Sequence, residues 1–149
     1  MTRVAVGPAS TAVGPAAAWT TSPAYQAYEL LHVGFAVLPI VAGLDKFFHF
    51  LQIGSWEGYL APIVTQTIPL EATTIMMIVG GIEVAAGLLV AFWPRVGGYV
   101  VMLWLLGIIV NLLLVPEAKF LDIALRDFGL ALGALALARL SEVHGRPVR

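Results

Sequence analysis

Eight polar residues sit where an otherwise apolar chain could do chemistry with them: Asp45, Lys46, His49, Glu83, Asn111, Asp122, Arg126 and Asp127. Carboxylates beside ammonium and guanidinium groups can grip the polar head of a ligand. A carboxyl held away from water can also carry a proton. The four acids Asp45, Glu83, Asp122 and Asp127 outnumber the two bases Lys46 and Arg126, which leaves carboxylate to spare. No nucleophile accompanies them. Ser55 and Ser141 lie in polar ends without a Ser–His–Asp constellation. The absence of Cys excludes thiol–disulfide chemistry, thiolate zinc sites and cysteine-ligated iron–sulfur clusters. The chain holds no self-contained catalytic set.

The elements that must position these residues are membrane helices. Of 149 residues, 60% are hydrophobic and only 11% charged, whereas a soluble domain carries about 25% charged residues. Four apolar stretches, roughly 29–51, 72–92, 96–115 and 121–140, are each long enough to cross a hydrocarbon core about 30 Å thick. The expectation is an all-α membrane protein with four transmembrane helices in an antiparallel up-down bundle.

Residues 1–28 read as a low-complexity tail. Gly7-Pro8 and Gly14-Pro15 interrupt any signal-like apolar run, so the tail is expected to remain uncleaved. Residues 141–149 form a short basic tail. The first connection, Gln52 to Leu70, is long and carries Trp56 and Tyr59, which suit a membrane–water interface. The second is a tight turn at Pro94-Arg95, and the third is Pro116-Glu117-Ala118-Lys119. Arg3, Arg95, Arg139, Arg146 and Arg149 fall on one side and only Lys119 on the other. The positive-inside rule then puts both termini in the cytoplasm of a plasma or inner membrane. A net charge of −1 leaves no footprint for nucleic acid.

A charge at the centre of a spanning helix costs about 2.5–3.5 kcal/mol, so it needs a partner or a purpose. Alternating helix direction converts sequence position into depth. Glu83 falls near the midplane, and Asp45, Lys46, Asn111, Arg126 and Asp127 fall roughly 5–9 Å outward of it at 1.5 Å per residue. Lines at steps of three and four pass through these residues. They run His32, Phe35, Pro39, Ala42, Lys46, His49; Thr73, Met76, Gly80, Glu83, Gly87; Gly97, Val100, Trp104, Gly107, Asn111; and Asp122, Arg126, Gly129, Gly133, Ala136. Such spacing is the inner seam of a left-handed bundle.

Two readings of the cluster stay open. In one, Lys46 and Arg126 neutralise two of Asp45, Glu83 and Asp127, with Asp122–Arg126 as an i,i+4 pair, and the network pins the bundle. In the other, the residues line a pocket in the outer half of the bilayer that binds the head of a quinone or similar lipid. A small transporter finds little support, because no pair of broken helices is present. No metal is expected from this chain alone. His32 and His49 are about 25 Å apart along one helix, and no other span holds a His. Trp104 reads as a packing residue. Gly80-Gly81 and Gly97-Gly98 read as close-contact points rather than a phosphate loop.

Three segments resemble the DoxX-like family of small four-helix membrane proteins: Gly43-Leu44-Asp45-Lys46-Phe47, Glu83-Val84-Ala85-Ala86-Gly87-Leu88-Leu89, and Leu125-Arg126-Asp127-Phe128-Gly129-Leu130-Ala131-Leu132-Gly133. The similarity covers about residues 29–140. It implies a four-helix bundle tied to respiratory or redox systems, with Lys46 and Glu83 as the functional pair. The polar pocket makes quinone the candidate cofactor class, and the expected partners are the lipid bilayer with other membrane subunits or further copies of the chain; an enzymatic role, if the chain has one, is that of an oxidoreductase subunit. Some relatives are small subunits of an archaeal thiosulfate:quinone oxidoreductase.

Overall fold

The computed structural model describes residues 22–51 and 55–145. Every regular element among them is helical. In chain order these are α1 (Pro23–Phe48), a 3-10 turn (Trp56–Tyr59), α2 (Pro62–Thr67) and α3 (Ala72–Phe92), followed by α4 (Pro94–Leu113), a second 3-10 turn (Pro116–Ala118) and α5 (Leu121–His144). The expected tail over 1–28 is helical from Pro23 onward, and residues 1–21 lie outside the described residues.

Local chemistry sets the helix ends. Ser22 caps α1, its hydroxyl accepting from the Tyr25 N–H at 3.3 Å, and Pro23 fits the first turn because its missing N–H would have no partner there. The helix stops at Phe48, three residues before the expected span end. His49 turns left-handed (φ 50°) and donates its N–H to the Asp45 carbonyl. α3 and α4 are separated by Trp93 alone, and Pro94 starts the new helix. Glu117 and Ala118 also take positive φ, which bends the chain sharply into α5.

α1, α3 and α4 are long and apolar enough to cross a membrane. α5 has 24 residues, about 36 Å at 1.5 Å per residue, but carries Asp122, Arg126, Asp127, Arg139 and Glu142. The outward surface is strongly apolar. Leu30, Val33, Phe92, Leu103, Val110, Leu125 and Leu132 are all exposed, as lipid rather than water would favour.

Small residues bring the helices together in two tight pairs. Between α1 and α3, a Cβ added at Gly43 would stand 2.5 Å from the Gly80 carbonyl oxygen. One added at Gly87 would stand 2.7 Å from the Ala36 carbonyl oxygen. Nearer the start of α1, the His32 ring nitrogen lies 3.1 Å from the Val90 carbonyl. Residue numbers thus rise along one helix as they fall along the other. α4 and α5 approach equally closely at Gly98, against Ala134 and Ala138. Such contacts suit membrane helices, where packing and not water exclusion drives association. Tyr28, Phe35, Ala86, Val90, Val101, Ala134 and Leu137 form the buried core.

On α5 the buried line is Ala124, Asp127, Ala131, Ala134, Leu137, Ala138 and Ser141. This corrects the expected line through Asp122, Arg126, Gly129, Gly133 and Ala136 by a rotation of about one residue. Alanine at these positions admits close approach to α4, while Gly133, beside this line, takes the Phe35 ring of α1. Gly129 has open space where its side chain would be.

Candidate functional site

The two helix pairs do not close on each other throughout. Between them lies a cavity of about 630 Å³, within the size range of small-molecule sites. α1 supplies Phe35, Leu38, Pro39, Ala42 and Lys46 to its wall; α3 supplies Ile75, Met76, Val79, Glu83 and Ala86. α4 contributes Val101, Trp104, Leu105, Ile108 and Asn111, and α5 contributes Ile123, Arg126, Asp127 and Leu130. Trp56, Tyr59, Leu60, Val64 and Ile68 reach it from the long connection.

The charged groups of this wall come in matched pairs. Lys46 and Glu83 are 6% and 9% exposed, and the Lys46 ammonium meets a Glu83 carboxylate oxygen at 2.5 Å. The Trp56 ring covers the same ammonium, with its centroid 4.3 Å away. That face adds a cation–π attraction and shields the charge. Asp127 is buried and accepts from the Nε and Nη2 of Arg126 at 3.1 Å each. The Arg126 side chain itself is 66% exposed.

Asn111 performs a different task from the one its depth suggests. Its Oδ1 accepts from the Ala61 N–H at 2.9 Å and its Nδ2 donates to the Tyr59 carbonyl at 2.7 Å. One amide thereby latches the connecting segment onto α4. Glu57 adds a second tie by accepting from the Thr73 hydroxyl at 2.8 Å. Tyr59 adds a third by lying 4.6 Å from the Phe120 ring. The segment from Ser55 to Glu71 is therefore a fastened roof.

Of the eight residues singled out from sequence, Lys46, Glu83, Asn111, Arg126 and Asp127 share the cavity wall, while Asp45, His49 and Asp122 do not. Asp45 is 1% exposed and turned to the chain beyond α1. One oxygen accepts from the Leu51 N–H, and the other has no hydrogen-bond partner. His49 is exposed and serves as the helix cap. Asp122 is exposed in the first turn of α5, and Arg126 pairs with Asp127 instead of with it.

One cavity residue escapes a reading by helical period. Trp56 sits in an irregular loop, where no periodicity could signal that it covers Lys46. Trp104, on the expected line of α4, is half-buried and lines the cavity. At the opposite end of the bundle, Tyr28 stacks on His32 (5.6 Å between ring centroids) and lies 6.0 Å from His144. That pairing of α1 with the end of α5 could only come from the tertiary fold.

Chemically, the arrangement is an apolar chamber with a neutralised polar roof. It can accept a tail along its Leu, Ile and Val walls and a compact head near Lys46, Glu83 and Asn111. No family model matches the chain, and no curated protein or solved structure shows significant similarity to it.

Proposed function

We propose that this is a four-span integral membrane protein whose cavity binds the head of a quinone-like amphiphile. It would act as a small subunit or accessory protein of a respiratory or redox membrane complex. The observation that carries the reading is the chamber itself. Its volume of about 630 Å³ suits a ring and the first part of a tail, and its walls pass from apolar to polar toward Lys46 and Glu83. Quinone chemistry moves electrons that these side chains do not supply, which joins the pocket to a redox partner.

α5 supports the fourth span. Leu121, Leu125, Phe128 and Leu132 expose an apolar stripe at steps of three and four, while Asp127 turns inward. Arg139 and Glu142 lie in the last turns, where long side chains reach the interface. Four spans would put both termini on one side, and the arginine distribution supports the cytoplasm as that side. The resemblance of the Lys46, Glu83 and Arg126-Asp127 segments to the DoxX-like family supports the same assignment.

The test is direct. Trp56 and Trp104 line the cavity, so decylubiquinone should quench the fluorescence of the nanodisc-embedded protein saturably. Lys46→Gln should weaken that quenching tenfold or more. A linear, non-saturating response in wild type would remove the ligand from the proposal. Purification in mild detergent tests the partner: a lone species with full quinone turnover would sink the subunit reading.

A further inference from the structure

We infer that the ligand enters sideways from the membrane through a slot between α1 and α5, and that its head carries no net charge. This rests on the amphiphile reading above and adds a route and a headgroup class to it.

The roof closes the route from water on the long-loop side. Trp56 covers Lys46, Glu57 is tied to Thr73, Asn111 holds Tyr59 and Ala61, and Tyr59 packs on Phe120. A ligand arriving from above would have to break several of these together. The opposite end is filled by Val90, Ala134 and Leu137, each fully buried. Two of the helix seams are equally tight, because backbone meets backbone at Gly43–Gly80 and at Gly98–Ala134.

The α1–α5 seam is different. It is closed where the Phe35 ring packs on Gly133, where an added Cβ would stand 3.1 Å from Phe35 Cζ. Toward the roof from that contact, Leu38 on α1 and Arg126 and Leu130 on α5 belong to the cavity wall and also to the outer surface. Leu38 is 60% exposed. A residue that faces both the chamber and the surroundings marks an opening; Gly107 on α4 and Ile68 in the roof are exposed wall residues too, so a gap at Gly107 is the competing route that the test includes. The lips of the α1–α5 slot are two leucines, suited to a hydrocarbon tail trailing into the bilayer, with one guanidinium beside them.

The charge balance selects the head. Lys46 is matched by Glu83, and Arg126 by Asp127. At Lys46, the buried cation, an anionic phosphate would have to displace the Glu83 carboxylate, and a cationic head would find no carboxylate without a cation on the wall. Either would bury an unmatched charge, which is strongly unfavourable. An uncharged ring with hydrogen-bonding oxygens meets no such obstacle.

The chain has no Cys, so single cysteines can be placed without background. Leu38→Cys and Leu130→Cys are the slot variants. Leu125→Cys, exposed on α5 and off the cavity wall, is the control. Each is incorporated in nanodiscs, treated with N-phenylmaleimide, and mixed with decylubiquinone while tryptophan quenching is followed by stopped flow. The slot predicts at least tenfold slower association for the two modified slot variants and less than twofold change for the control. Unchanged rates at both slot positions, or slowing by an adduct at Gly107→Cys instead, would overturn the route. Excess phosphatidylglycerol should leave the Kd within twofold, and a tenfold loss of affinity would overturn the uncharged head. No quenching of the unmodified chain would overturn the amphiphile reading itself, and the route with it.

Discussion

Lys46 and Glu83 come from different helices, 37 residues apart, and meet in a place almost closed to water. Ala42 offers its carbonyl to the same ammonium at 3.5 Å, and Trp56 covers it from the loop. Three separate segments thus converge on one cation.

Removing one member of such a pair strands the other. Glu83→Gln should destabilise the bundle by about 3–5 kcal/mol, while Lys46→Met with Glu83→Leu should return most of that loss, since a buried ion pair often contributes little over well-packed apolar groups. Unfolding followed in mixed micelles measures both. The double variant also separates strut from site. Restored stability with lost quinone binding assigns the pair to the ligand, and retained binding assigns it to the scaffold.

Asn111→Ala leaves the Tyr59 carbonyl and the buried Ala61 N–H without their partner. Each orphaned buried group costs about 1–3 kcal/mol, but the cost falls on the roof and not on the helices. Hydrogen exchange read by mass spectrometry should show faster exchange across 55–67 with α1, α3, α4 and α5 unchanged. Faster exchange throughout the bundle would contradict the latch.

The seam between α1 and α3 predicts opposite outcomes for chemically identical changes. Gly43→Ala and Gly80→Ala each place a methyl group against a backbone carbonyl, so the helices must separate at a cost on the order of 1–3 kcal/mol. Gly81→Ala enters open space and should be neutral or favourable by up to about 1 kcal/mol through helix propensity. Thermal unfolding of the three variants in one detergent is the comparison.

Acid should loosen the roof before it disturbs the helices. Glu57 is held below its ordinary value of 4.5 by hydrogen bonds from its own backbone N–H and from the hydroxyls of Thr73 and Ser55. A depressed folded value means the contribution is complete above about 4.5 and is lost as pH falls through the lower folded value. Exchange at residues 55–60 should therefore rise in that acidic window for wild type, and Glu57→Gln should be insensitive to it.

Depth along a membrane helix is legible from sequence because the rise per residue is fixed, and depth drew attention to Lys46, Glu83, Asn111, Arg126 and Asp127 together. Rotation is much less legible. On α5 the glycines and Arg126 attracted the inward line, yet alanines occupy it, because a methyl side chain packs almost as closely and favours the helix more. Loop residues are less legible still. Trp56, Tyr59 and Ala61 acquire their places through single contacts with Lys46, Phe120 and Asn111, and no periodic pattern encodes those. His49 illustrates a third failure: it continues the line through Lys46, but the helix ends at Phe48 and His49 becomes its left-handed cap.

The chamber between the two helix pairs has a mechanical consequence as well as a chemical one. A fold that encloses void space shrinks when that space is lost, so hydrostatic pressure favours its collapse. Tight seams within each pair and a gap between them make the gap the compressible part of the molecule. Pressure should therefore act first across the gap between the two helix pairs.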